Sequence, residues 1–321
     1  MAPLNVLLTF DVEVWCDGWQ DLDRKFPAAY RRYVYGTSPA GDFALPKTLE
    51  TLQRHNIHAV FFVEPLFAAR FGVEHLAAIV ALIRDAGQEV QLHLHPEWTD
   101  EITPPPLAHM NGKRQHLRYY DAEEQTTLIG LGARLLQVAG APRPAAFRAG
   151  GFAANRDTYS ALERNGIAFD SSINAIVADS VPDLRGHCDV YAASRIGNVT
   201  SIPVTIFRDG RGGLRHAQVG ACSYEEIASA LQSARAAGSP YFVMFSHNFE
   251  LLKPGTSQPD SIVAKRFERL CRHLGDRGDD YRCIGFDAIA PSVDPVHAPL
   301  PSVPLSATLR RYAEQALRRI V

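Results

Sequence analysis

The sequence lacks the features that mark several protein classes. Its 321 residues include 33 Lys and Arg against 35 Asp and Glu, so the formal net charge is only −2. A dedicated nucleic-acid binder is usually basic, and we therefore expect no nucleic-acid partner. No run of residues reaches the roughly 18 uninterrupted apolar residues of a membrane span. The first residues carry no basic segment before the apolar run, so we expect neither a signal peptide nor a transit peptide.

Paired cysteines and nucleotide-binding motifs are also missing. The five cysteines are scattered along the chain and form no C-x-x-C pair. This favours reduced thiols over a disulfide framework or a cysteine zinc site, and we expect a cytoplasmic protein. Neither G-x-G-x-x-G nor a phosphate-loop motif occurs, which weakens the nucleotide-binding version of an α/β fold.

The residues that are present predict an α/β fold. Hydrophobic residues make up 46% of the chain, enough to bury a core. Strand-like runs alternate with helical patterns, and short connections between them imply a parallel sheet. Several such units favour a distorted parallel barrel, although an open doubly wound sheet has the same pattern. Strands are predicted at 5–10, 58–63, 89–95, 145–148, 168–169, 201–207, 241–246 and 282–285. Helices are predicted at 43–55, 73–86, 121–139, 155–165, 223–237, 261–274 and 305–321.

Three segments interrupt this alternation. Residues 15–41 and 99–120 are long insertions after predicted strands, and we interpret them as binding loops or lids. The domain prediction is one barrel over residues 1–290, followed by a proline-rich strap and an amphipathic helix in 291–321. That helix is predicted to dock on the barrel, and weak association with a membrane surface is the alternative.

Polar residues fall at the carboxyl ends of the predicted strands. In a parallel barrel these ends converge on the face where active sites are built. Residues two apart leave a strand on the same side, so a carboxylate pair and an imidazole pair would face one opening. A divalent metal of the zinc type needs three such N and O ligands and an open position for water. The residues are Asp11, Glu13, His93, His95, Arg148, Asp170 and His247.

Six short motifs resemble those of the polysaccharide deacetylases with a NodB-type domain, carbohydrate esterase family 4. The first motif is similar to a branch with D-V-E or D-V-D at that position. The motifs occur in the family's order over about residues 4–290. They are TFDVE at 9–13, LHLHP at 92–96, FRAGG at 147–151, FDSS at 169–172, IPV at 202–204 and FSH at 245–247.

The resemblance implies a role for each matched residue. Asp11 matches the general base, and Arg148 matches the arginine that orients that base. His247 matches the general acid that protonates the leaving amine, and Asp170 lies where an acidic residue supports the acid–base pair. The implied cofactor is Zn²⁺ or another divalent ion, which would activate water and polarise the amide carbonyl.

The sequence departs from the family pattern at two positions that concern the metal. The family has a second Asp directly after the base, where this chain has Val12. It also has two histidines four residues apart, and the position four before His95 is Gln91. We therefore predict Glu13, His93 and His95 as the ligands, with an exchange of roles between Asp11 and Glu13 left open.

Residues near the motifs suggest how a substrate would be held. Trp15, Trp19 and Trp98 lie close to the motifs, where their rings could stack on a sugar or pack a lid. Arg31 and Arg32 could bind an anionic group of the substrate, although a solvated charged loop is the ordinary interpretation of such residues.

Together these observations predict a metal-dependent amide hydrolase. Its expected substrate is an N-acetylated or N-formylated amino sugar, as a sugar nucleotide, a lipid-linked sugar or a saccharide. The resemblance and the expected location suggest surface polysaccharide or lipopolysaccharide biosynthesis. One alternative is hydrolysis of an amide or ureide outside carbohydrate chemistry, and another is an inactive barrel that only binds saccharide.

Overall fold

Strands and helices alternate along the chain in the computed structural model, which describes residues 2–109, 112–178, 180, 183–290 and 297–318. The strands are β1 (Leu4–Val12), β2 (Thr37–Ser38), β3 (Gly41–Asp42), β4 (Val60–Val63), β5 (Glu89–Leu94), β6 (Ala146–Ala149), β7 (Phe169–Asp170), β8 (Ser194–Ile196), β9 (Val199–Ser201), β10 (Ile206–Arg208), β11 (Leu214–His216), β12 (Tyr241–His247) and β13 (Tyr281–Cys283). The helices are α1 (Leu22–Tyr30), α2 (Leu45–Arg54), α3 (Ala68–Phe71), α4 (Val73–Asp85), α5 (Ala122–Val138), α6 (Arg156–Arg164), α7 (Tyr224–Ala236), α8 (Ser261–Gly275) and α9 (Leu305–Arg318).

The described residues group into two compact units. Unit 1 holds those of 1–59, 205–284 and 296–321, and unit 2 holds those of 60–204 and 285–295. The domain division at residue 290 stays a prediction. Part of the predicted strap, 291–296, and the last residues of the predicted C-terminal helix, 319–321, lie outside the described residues.

Unit 1 is built on β1, which pairs in parallel with both β12 and β13. Almost every β1 residue is buried, as expected of a parallel strand covered on both faces. The hydroxyl of Thr9, a polar residue inside β1, donates a hydrogen bond to the carbonyl oxygen of Met244 at 2.7 Å. Phe10 packs edge-on against Phe267 of α8, with ring centroids 5.8 Å apart.

Unit 2 contains the parallel strands β4, β5, β6, β7 and β9 in that order, with β8 antiparallel to β9. Helix α6 begins at a capping box, in which the Asn155 side chain accepts from the Thr158 backbone N–H. In unit 1, Ser223 and Glu226 form the capping box of α7. The α/β class with a mostly parallel sheet is therefore confirmed.

Two local predictions were wrong. Residues 15–41 contain α1, a π-helical turn at Arg31–Tyr35 and the β2–β3 hairpin instead of one long loop. Pro27 inside α1 hides this helix from the sequence pattern, because proline normally ends a helix. The strand predicted at 201–207 is divided into β9 and β10. Pro203 lies in the gap, where a residue without a backbone N–H cannot donate to a sheet.

Helix α9 docks within unit 1, as predicted, but through its polar side. Arg311 is 5% exposed and binds Glu226 and Asp209, while Glu314 accepts a hydrogen bond from Arg266. The apolar residues face outward instead of inward, which reverses the expected orientation. Their exposed fractions are 49% for Leu305, 55% for Leu309, 39% for Tyr312 and 52% for Leu317. Of the helices described, none has the length and apolar character to cross a membrane.

The attachment of α9 through buried charges can be tested by substitution. We expect Arg311→Ala to lower the free energy of unfolding by about 3–5 kcal/mol, because it leaves Glu226 buried without its main cation. Arg310→Ala is the control, since Arg310 is 58% exposed and its loss should cost less than about 1 kcal/mol. Denaturant titration measures both values. Equal destabilisation by the two variants would contradict this account of the docking.

Candidate active site

In unit 1, the carboxyl ends of β1 and β12 bring an acid and a histidine to neighbouring positions. Asp11 is in register with His247 in the parallel pairing of the two strands. The Asp11 side chain is buried, and that of His247 is 25% exposed. Since both residues lie at the carboxyl ends of their strands, the parallel pairing alone places them at the same edge of the sheet.

Asn248 holds the backbone that carries the two carboxylates. Its side-chain oxygen accepts from the Glu13 N–H at 3.1 Å, and its own N–H donates to the Asp11 carbonyl at 3.1 Å. Its amide nitrogen also donates to the carbonyl oxygen of Tyr33. Asn248 is fully buried, so these bonds fix the path of the chain after β1. Sequence reasoning did not select Asn248, and its position directly after His247 was the only signal for it.

The Glu13 carboxylate is held by a tryptophan. The Trp15 indole N–H donates to Glu13 Oε2 at 2.7 Å, and Glu13 is 6% exposed. The Trp15 ring meets Trp19 edge-on, with centroids 6.1 Å apart. Trp15 therefore orients a predicted metal ligand in addition to whatever it contributes to substrate binding.

His247 has a carboxylate partner three residues along the chain. Its Nδ1 lies 2.7 Å from Glu250 Oε1, and Glu250 also accepts from Ser246, Gln218 and the Gly220 N–H. Burial lowers the pKa of His247, but the hydrogen bond to Glu250 and the negative charges around it prevail and raise the pKa to about 9. Sequence reasoning missed Glu250. The i, i+3 spacing from His247 is too common in proteins to have identified it.

In unit 2, both predicted histidine ligands share one hydrogen-bonding pattern. His93 Nδ1 donates to the carbonyl oxygen of Arg148 at 2.7 Å, and His95 Nδ1 lies 3.2 Å from Glu97 Oε2. Both rings are buried, with centroids 4.8 Å apart. A proton on Nδ1 leaves Nε2 of each ring as the electron-pair donor, the usual arrangement of metal-binding histidines. Sequence reasoning also did not select Glu97.

Gly150 makes room for the His95 ring. A Cβ atom at this position would lie 2.6 Å from His95 Nδ1, closer than real Cβ contacts. Gly150 follows β6, whose Leu92↔Phe147 and Leu94↔Ala149 pairings fix its height beside β5. The glycine of the FRAGG motif is therefore required by close packing.

Arg148 is fully buried in unit 2 and is held by the FDSS motif. Its Nε donates to the carbonyl oxygen of Ser171 at 3.1 Å, and Nη2 lies 3.0 Å from Ser171 Oγ. Its guanidinium also lies over the Phe62 ring, 4.3 Å from the centroid. These contacts fix the position of a residue predicted to orient the base, and that role stays a prediction.

Asp170, the second residue of the FDSS motif, accepts several hydrogen bonds. It accepts from Tyr159 Oη at 2.8 Å and from the Ser172 N–H at 3.0 Å, and Ser201 Oγ lies 3.3 Å away. Burial raises the pKa of Asp170, while these hydrogen bonds oppose the increase. Ser172 Oγ accepts in turn from the Ala149 N–H, which links Asp170 to the strand that carries Arg148.

The predicted substrate-binding residues have different surroundings. Trp98 is 1% exposed and packs edge-on against Phe71 at 5.9 Å. Arg31 is exposed. Arg32 forms two hydrogen bonds with Asp17, at 2.8 and 2.9 Å. None of these contacts tests a role in substrate binding.

The donor types of the predicted ligands suit a divalent ion. Glu13 in unit 1 and His93 and His95 in unit 2 are each buried. One carboxylate and two neutral imidazoles are ligands that zinc accepts, although imidazole also suits other transition metals.

Comparison with known proteins supports the fold. Neither a protein-family profile nor a curated protein sequence matches the chain. A proposed polysaccharide deacetylase from Mycobacterium smegmatis superposes with a TM-score of 0.54 at 19% identity, over 89% of this chain and 88% of that one. A family 4 carbohydrate esterase from Streptomyces lividans in complex with acetate matches with a TM-score of 0.46 at 15% identity, over 93% and 100%. The first likeness confirms the predicted fold, a distorted (β/α) barrel.

The dependence of the His247 pKa on Glu250 is open to direct measurement. We expect Glu250→Gln to lower the pKa of His247 from about 9 towards the ordinary histidine value, because it removes the charge and the hydrogen bond that raise the pKa. Glu225→Gln is the control, since Glu225 binds Arg269 on the surface of α7. NMR titration of the imidazole gives both values. An unchanged His247 pKa in Glu250→Gln would show that Glu250 does not set it.

Proposed function

We propose that this protein is a metal-dependent hydrolase that removes an N-acetyl or N-formyl group from an amino sugar. The observation that carries the proposal is the matched orientation of two buried histidines, His93 and His95, each with Nδ1 directed at an oxygen atom. Metal-binding histidines almost always donate their other ring N–H to an oxygen acceptor, and this pattern therefore supports metal binding.

The proposed ligands are Glu13, His93 and His95, with Zn²⁺ as the preferred ion. The hydrogen bonds from Trp15 to Glu13 and from His95 to Glu97 support this set, because ligands are usually oriented by such outer contacts. When bound, the ion supplies Lewis-acid activation of a water and of the amide carbonyl.

The remaining polar residues supply the proton transfers. Asp11 is the base that takes a proton from the attacking water, and Arg148 orients it. His247 is the acid that protonates the leaving amine, a poor leaving group without a proton. Its pKa of about 9 supports this role, because it keeps the imidazolium as the main form at neutral pH. Asp170 acts indirectly, through the FDSS segment that holds Arg148.

The proposed substrate is a saccharide, and its finer identity remains part of the proposal. Trp15 and Trp19 offer apolar faces for a sugar ring, and Arg31 and Arg32 offer cations for an anionic group. Trp98 is the weakest of these candidates, because its ring is 1% exposed. A sugar nucleotide or a lipid-linked sugar would suit surface polysaccharide or lipopolysaccharide synthesis in the cytoplasm. An inactive saccharide-binding barrel is the alternative that the unusual ligand spacing favours.

Metal content and product release test the proposal together. We expect about one divalent ion per chain, and release of acetate or formate from N-acylated amino sugars that stops with chelator and returns with zinc. His95→Ala should lose both the metal and at least about 99% of the activity. His187→Ala, a change at an exposed histidine, is the control. A metal-free, fully active protein would refute the proposal, and saccharide binding without release would favour the inactive barrel.

The outward face of α9 supports weak association with a membrane surface. The exposed side chains of Leu305, Leu309 and Leu317 form an apolar stripe. The acid of this helix, Glu314, is mostly buried against Arg266, while Arg310 is 58% exposed. An apolar stripe beside outward positive charge suits anionic lipids.

Flotation with vesicles tests the α9 proposal. We expect the protein to float with vesicles containing anionic lipid and to float less with zwitterionic vesicles or at high salt. Leu309→Glu should reduce flotation about tenfold, since it places a charge in the stripe. Lys265→Gln, at an exposed position of α8, lowers the net charge by the same one unit and serves as the control. Equal flotation of all variants would contradict a role for α9.

A further inference from the structure

A cavity of about 480 Å³ lies in unit 1, beside the proposed general acid. Its walls come from the π-helical turn after α1, the loop that follows β12, and the end of α9. The side chains that matter for its chemistry are Arg32, Lys253, Arg318, Phe249 and Glu250. The volume is within the range of small-molecule sites, roughly 300–1,000 Å³.

The charge presented to the cavity is positive. Arg32 and Arg318 line it, whereas their acidic partners, Asp17 and Asp260, do not. Among its described lining residues Glu250 is the acid, and its carboxylate already accepts from four groups, including His247. Three cationic side chains therefore line a space whose acid is engaged by His247, while Arg32 and Arg318 are themselves paired with Asp17 and Asp260 outside the lining.

The ring of Phe249 lines the cavity and also packs against His247. The rings of His247 and Phe249 are stacked, with centroids 5.2 Å apart and 23° between their planes. Tyr33, another lining residue, meets Phe249 edge-on at 5.1 Å. A molecule filling the cavity would thus contact Phe249 and Glu250, the two side chains that hold the His247 ring.

We propose that this cavity binds the phosphate ester of the substrate, so that the enzyme acts on a phosphorylated amino sugar. A guanidinium has five N–H donors, of which Arg32 uses two on Asp17 and Arg318 uses two on Asp260 and Gly220. The other donors suit phosphate oxygens, and Lys253 adds a positive charge. The aromatic wall of Tyr33 and Phe249 suits the sugar or base next to the phosphate. The claim that the bound sugar is deacylated rests on the proposed function. Binding of the phosphate can be measured without hydrolysis of the N-acyl group.

Binding and turnover measurements separate the two proposals. Calorimetric titration would use N-acetylglucosamine 1-phosphate, its nucleoside diphosphate form, and a prenyl-phosphate sugar in micelles, with unphosphorylated N-acetylglucosamine as the neutral ligand. Lys253→Glu should weaken binding of the phosphorylated ligands about tenfold or more, because it replaces an attractive charge with a repulsive one. Lys265→Glu, at an exposed lysine outside the cavity, should leave binding unchanged.

The pattern of results decides each point. A loss of affinity in Lys253→Glu and in Arg32→Gln, restricted to phosphorylated ligands, supports the phosphate site. The ligand that loses most identifies whether the ester is free, nucleotide-linked or lipid-linked. Equal affinity for phosphorylated and neutral sugar, or unchanged affinity in both variants, overturns the inference. If the phosphate ester binds as expected but no acid is released, the phosphate site stands and the hydrolase proposal fails.

Discussion

The parallel pairing of β1 with β12 is the constraint on which the rest of unit 1 depends. It runs from Asn5↔Tyr241 to Asp11↔His247, so each of these β1 residues is aligned with a partner on β12. Asn248 continues this control beyond the last pair, where the regular ladder has ended. Carboxylates in this position cannot relax towards solvent, because their own backbone is bonded into the neighbouring strand.

In unit 2, both backbone pairing and side-chain hydrogen bonds hold the predicted site residues in position. The pairing of β5 with β6 places His93 beside Arg148, and the carbonyl of that same arginine fixes the His93 tautomer. The Arg148 side chain is held by Ser171, which follows Asp170. Arg148 thus has two roles. Its carbonyl oxygen binds His93, a predicted metal ligand, and its guanidinium is held in place for the predicted orientation of the base.

The sequence predicts those parts of the protein that depend on local chemistry. The helices predicted at 155–165 and 223–237 are present as α6 and α7, and both begin at capping boxes, which involve only neighbouring residues. Helix α1 escaped prediction because Pro27 outweighs its apolar spacing in any local rule. The partners of the site residues, Glu250 and Glu97, escaped because nothing local distinguishes them from surface acids. The positions of the site residues could be predicted because they lie at the ends of predicted strands. Their hydrogen-bond partners could be identified only from the three-dimensional structure.

The inverted orientation of α9 has a consequence for the registration of the helix. An apolar helix surface would tolerate a shift along its axis, because one leucine fills a groove nearly as well as the next. A slip by one turn moves each residue about 5.4 Å. It would carry Arg311 away from Glu226 and leave two opposite charges buried apart. The ion pairs of Arg311 therefore fix a single register of α9 on unit 1. The same face of α9 is then exposed in every folded molecule.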